Sequence, residues 1–144
     1  EDGQYAWRTR FSQAAVHWDA YDGGEVLFQA MTGETRMGGR IGGVSPASVG
    51  FVAAYGLLSQ DFEAGTASLR LDYFAVSDRS FKDLDNNAES GWSASVAWVQ
   101  PVLDRTDLVL EGIVAPSERP DRLRFGLDRY QTSTQARVAL RTGF

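Results

Sequence analysis

The chain has 144 residues, 43 % of them hydrophobic, no cysteine, a formal charge of -5 and a mean hydropathy of -0.27. That composition excludes an oily helical bundle and a disordered polymer. The acidic balance argues against nucleic acid as a partner, and the missing cysteines remove disulfide, thiolate and cysteine–zinc chemistry while permitting an oxidising compartment.

No run approaches the roughly 18 apolar residues of a membrane-spanning helix. A membrane barrel remains open, because its strands need only about 9 to 11 residues across the bilayer and hide hydrophobicity in alternation. The chain carries neither an initiating Met nor a charged-then-apolar leader, so an exported form is expected to be a processed or partial product. The polar opening Glu1, Asp2, Gly3, Gln4 resembles the middle of a loop.

In chain order, no turn chemistry separates Arg10 from Ala15, so this stretch reads as one segment leading into a first strand at 14–21. Further strands are expected at 25–36, 48–60, 67–78, 89–100, 106–117 and 130–144. Strand-formers run together in Val49-Gly50-Phe51-Val52 and Leu69-Arg70-Leu71-Asp72-Tyr73, bounded by Gly, Asn, Asp and Pro clusters. The last strand alternates an oily parity (Ala136, Val138, Leu140, Phe144) with a wet one (Gln135, Arg137, Arg141). Helical periodicity is hard to find, and an all-β antiparallel meander follows.

The connections alternate in length: 22–24, 61–66 and 101–105 are short, while 37–47, 79–88 and 116–129 are long. A transmembrane barrel requires this, with short periplasmic turns and long outer loops. The parity expected to face lipid is Val16, Trp18, Ala20; Val26, Phe28, Ala30; Phe51, Ala53, Tyr55, Leu57; Leu69, Leu71, Tyr73; Trp92, Ala94, Val96, Trp98; Leu108, Leu110, Val114; and the oily parity of the last strand. Trp18, Tyr21, Trp98 and Phe144 then fall near the periplasmic edge, and Phe51, Tyr73, Trp92 and Tyr130 near the outer one. Trp92 and Trp98 are separated by only about 15 Å of height once strand tilt is allowed for, against an apolar band of ~25 Å.

The opposite parity assigns Gln29, Arg70, Asp72, Glu111, Gln135, Arg137 and Arg141 to a pore lining, with His17, Asp19, Ser93 and Ser95, and places Glu34 and Arg36 nearer the outer mouth. Arginines opposite carboxylates would bias ion passage, or would merely satisfy one another along a solvated wall. Arg70, Arg137 and Arg141 carry the case for anion preference. His17 is the one histidine, with no convincing serine or orienting acid, so no catalytic residue is expected. The run Asp83-Leu84-Asp85-Asn86-Asn87-Ala88-Glu89 offers oxygens to a cation but lacks the glycine of an EF-hand loop. The glycines at 38, 39, 42 and 43 precede no helix that would complete a phosphate cradle. No metal and no cofactor are expected.

Trp7-Arg8-Thr9-Arg10-Phe11, Gln29-Ala30-Met31-Thr32-Gly33-Glu34-Thr35-Arg36, Asp85-Asn86-Asn87 before Gly91-Trp92, and the closing Ala139-Leu140-Arg141-Thr142-Gly143-Phe144 resemble the C-terminal part of a Gram-negative outer-membrane porin-like barrel. The Met-Thr-Gly-Glu segment is also similar to a strand of phosphate-selective porins. The resemblance implies a channel for small polar or anionic solutes, an outer-membrane location amid lipid and lipopolysaccharide, and Phe144 as the signal read by the barrel-assembly machinery. A homo-oligomer is compatible with it. Seven strands is odd where bacterial barrels are even, so either 4–12 supplies an eighth or, as favoured, the chain is the C-terminal portion of a barrel of ~16 strands. The alternatives are an outer-membrane lipid-modifying enzyme and a structural or adhesive barrel held in a complex.

Overall fold

Three tight turns organise the chain. Tyr21 faces Gly24, Phe62 faces Gly65 and Leu103 faces Thr106, each pair closing a two-residue hairpin loop. Two of these loops use left-handed backbone, which Gly23 supplies at φ 68° and Arg105, unusually for a side-chain-bearing residue, at φ 63°; in the third, Gly65 follows the loop at φ 151°. In the computed structural model, which describes residues 7–38, 47–80 and 86–143, the strands they join are β1 (Trp7–Tyr21), β2 (Gly24–Met37), β3 (Ala47–Phe62), β4 (Gly65–Asp78), β5 (Glu89–Leu103), β6 (Thr106–Glu118) and β7 (Tyr130–Thr142). All pair antiparallel, each with its sequence neighbours, in one sheet ordered β1 to β7. The three hairpin turns share one end of the sheet, and the connections 38–46, 79–88 and 119–129 share the other.

The expected all-β, up-and-down meander is therefore present. Its first strand begins at Trp7, not at residue 14, because the far half of β2 needs a hydrogen-bonding partner and finds it in Trp7 opposite Met37 through Gln13 opposite Met31. Trp7 to Ser12 consequently extend β1 and do not form an eighth strand. Among the described residues the sheet is open: β1 and β7 each lack a second neighbour. Because neighbours alternate in direction, β1 and β7 run the same way. Phe144 lies outside the described residues.

The connection 119–129 carries a short 3₁₀ helix, Pro120–Phe125, ended by Gly126 at φ 70°. Arg122 pins it. Its guanidinium donates to the carbonyls of Ser117 and Arg129 at 3.2 and 3.3 Å, and to Glu89 Oε1 and Ser117 Oγ at 2.9 Å each. These bonds tie the loop to the ends of β5 and β6. Replacing Arg122 by Ala should cost about 1.5–3 kcal/mol of local stability. The readout is limited tryptic proteolysis after Arg124, expected to accelerate by about tenfold or more; the Arg119–Pro120 bond resists trypsin.

Candidate functional site

The register sorts every strand residue onto one of two faces. On one, Trp18 faces Val26, Val26 faces Leu58, Leu58 faces Leu69, and Leu69 faces Val96. Val16, Phe28, Leu71, Ala94, Leu110 and Val138 share that face. It is exposed: Val138 is 72 % accessible, Val96 57 % and Leu71 53 %. No hydrophobic residue among those described is buried. On β4 the apolar run extends from Ala67 to Ala75, about 26 Å of strand. Across seven strands it covers roughly 700 Å², more than the ~300–600 Å² of the largest patch on a typical soluble monomer.

Aromatic rings border this apolar face. At the hairpin end, the Phe62 and Trp98 rings lie 6.2 Å apart, and Tyr21, displaced by the bulge after Asp19, covers Gly24. At the loop end Tyr73 sits opposite Trp92, and Tyr130 lies on the same face opposite Glu118. Beyond the aromatics at that end come Arg8, Arg10, Glu34 and Arg36. This corrects one expectation: Glu34 and Arg36 share the period of Val26 and Phe28, and so lie on the apolar face's rim, bonded to each other at 3.1 Å.

The other face is polar. Gln29 faces Tyr55, Tyr55 faces Asp72 and Asp72 faces Ser93; Arg70 faces Ser95; Glu111 faces Arg137; and Ile113 faces Gln135. Asp107 faces Arg141. Gln29, Arg70, Asp72, Glu111, Gln135, Arg137 and Arg141 are therefore all on one side. A second correction follows: Phe51, Ala53, Tyr55 and Leu57, expected with the lipid-facing set, lie on the polar face instead, and β3 presents Val52, Ala54 and Leu58 to the apolar one. Both parities of β3 are apolar, so hydropathy alone does not orient it.

A groove of about 680 Å³ lies on the polar face, lined by β2 through β6. At its centre Asp72 receives the Arg70 guanidinium through two nitrogens, at 2.6 and 2.9 Å, and the Ser93 hydroxyl at 3.1 Å. The guanidinium carbon stands 4.1 Å above the Tyr55 ring, whose hydroxyl donates to Gln29 Oε1 at 3.1 Å. The other arginines are matched too, Arg141 with Asp107 at 2.6 Å and Arg137, more loosely, with Glu111 at 3.9 Å. Asp107 and Glu25 are polar-face residues that sequence reading missed, and Tyr55 is one that it placed on the opposite face.

His17, Asp19 and Glu25 gather at the hairpin end of the same face, with one ligand atom from each lying within 4.8 Å of the others. They are the residues that could hold a metal ion among those described. All are exposed, and His17 Nε2 already bonds Glu25 Oε1 at 2.6 Å. No serine bonds His17 among the described residues, so the arrangement offers no nucleophile–base pair. In the loop run considered for calcium, 83–85 lie outside the described residues. Asn87 donates to Asp78, Asn86 Oδ1 accepts from Ala88, and Glu89 is taken by Arg122. Gly38 is the one described member of its glycine group.

Comparison with protein-family models, curated proteins and solved structures found no match.

Proposed function

We propose that this chain is part of an outer-membrane β-barrel channel admitting small polar solutes. The observation that carries the reading is the pairing of two faces on one seven-stranded sheet: an exposed, aromatic-bordered apolar band on one side and a polar groove on the other, with no buried hydrophobic residue among those described. In water the apolar band would be an aggregation surface; against lipid tails it is satisfied. Every hairpin turn at one end and every long connection at the other fits periplasmic and outer sides. Phe144 would then serve assembly.

The parallel sense of β1 and β7 bears on closure. A barrel closed only by antiparallel pairs needs an odd number of further strands between these edges, and so an even total. About nine more would give the ~16 strands favoured on the resemblance. The matched arginines favour polar over strictly anionic cargo.

The test is reconstitution of the full-length protein carrying this chain. It should insert into vesicles as a heat-modifiable barrel and give stepwise conductance in planar bilayers. A folded, water-soluble protein without detergent would remove the membrane reading. Insertion without conductance would move weight to the structural or adhesive barrel, or to the lipid-modifying enzyme.

A further inference from the structure

The groove is not uniformly polar. Its β2–β3 side carries Met31, Ala53 and Leu57, with Gln29 and Tyr55 between them, and is extended by Phe74 from β4, while its β4–β5 side presents Arg70, Asp72 and Ser93. The charge there is already cancelled by the doubly bonded Arg70–Asp72 pair. A bare ion entering the groove meets no unmatched charge at its centre and exchanges water for an apolar wall, which is unfavourable. Hydrogen-bonding capacity nevertheless remains. Among the described residues, Arg70 Nη1, the Gln29 amide nitrogen and the Ser95 hydroxyl have no protein partner.

We propose that the groove holds an uncharged, polyhydroxylated ring solute of mono- or disaccharide size. A sugar ring has an apolar C–H face and a rim of hydroxyls that both donate and accept. The C–H face of one ring would lie on Leu57, directly opposite Arg70, and the second ring of a disaccharide would reach along the groove toward Met31, about 13 Å of strand away. Both would displace weakly held water, and the hydroxyl rims would bond the Arg70–Asp72–Ser93 side and Gln29. A neutral ligand suits a site where each charge has its counter-charge, because neither the guanidinium nor the carboxylate needs to release its partner. This inference rests on the channel reading and adds to it the class of solute.

The experiment is conductance block in planar bilayers by sucrose, with glycine betaine at equal osmolality as the charged-group control. Sucrose should reduce conductance saturably, and betaine only in proportion to viscosity. Met31→Ser combined with Leu57→Ser should raise the half-blocking sucrose concentration about tenfold, since it removes two apolar contacts. Tyr55→Phe keeps the apolar wall and drops the bond to Gln29; its half-blocking concentration should stay within about threefold. Thr132→Ala, on the opposite face, should leave block unchanged. Conductance with equal, unsaturable effects of both solutes overturns this inference alone, as does a double variant that blocks like wild type. Absence of any conductance overturns the channel reading and this inference with it.

Discussion

Replacing Leu71 by Arg is expected to destabilise the protein in a bilayer by about 2–4 kcal/mol, the cost of a cation on a lipid-facing strand near the midplane. Leu71 is 53 % exposed and stands in the middle of the apolar band, in the row that runs from Val16 through Phe28 and Gly56 to Ala94. An exposed leucine on a soluble protein tolerates such a change within about 0.5 kcal/mol. The size of the effect therefore reports what covers this face. Gln135→Arg, one face away on β7, should cost no more than about 0.5 kcal/mol. Ser77→Arg, on the apolar face's rim opposite Gly50, should fall between them, near 0–1 kcal/mol, because the penalty fades toward the interface. Urea titrations in vesicles, followed by heat-modifiable migration, give all three values. Equal costs at Leu71 and Ser77 would indicate a protein covering in place of lipid, whose depth dependence is the distinguishing feature.

The elements were legible because the hairpin turns are strong local signals and the strands between them alternate. The faces were legible where one parity is polar, as on β4, where Arg70 and Asp72 interrupt Leu69, Leu71 and Tyr73. β3 has no such contrast, and the reading of it from hydropathy failed. A different signal was present: with a short turn fixing Gln60 opposite Ala67, the antiparallel register counts back to Tyr55 opposite Asp72. The turn, and not the oiliness of Tyr55, decides its face. The start of β1 was misplaced for the converse reason. Apart from Trp7 and Phe11 its first half is polar on both parities, which reads as a loop until the length of β2 opposite it is known. The pairing of Arg141 with Asp107 is a register property between strands separated by a long connection, and nothing local in the sequence announces it.

That pairing sharpens the expectation for ion selectivity. Arg70, Arg137 and Arg141, considered alone, would concentrate anions; matched with Asp72, Glu111 and Asp107, they add no net charge to the polar face. Replacing all three arginines by Gln should therefore uncover three carboxylates and drive the channel toward cation preference. In a tenfold salt gradient the reversal potential should move by about a third or more of the ~59 mV limit for a monovalent ion. Adding Asp72→Asn, Glu111→Gln and Asp107→Asn to the same protein should return it close to wild type, since charge is then removed in pairs. The shift should be largest in dilute salt and shrink toward 1 M, where screening confines the field to about 3 Å. Arg137 should contribute least to the loss of order in the wall, because its carboxylate partner is 3.9 Å away and it is largely exposed, yet its charge should count in selectivity like the others. Recordings of wild type, triple and sextuple variants separate two roles for these arginines. A triple variant as unselective as wild type would make them wall structure whose charge permeating ions never sense, and a sextuple variant that stays cation-selective would place the responsible acids elsewhere, with Asp19 and Glu25 at the hairpin end of the same face the first to replace.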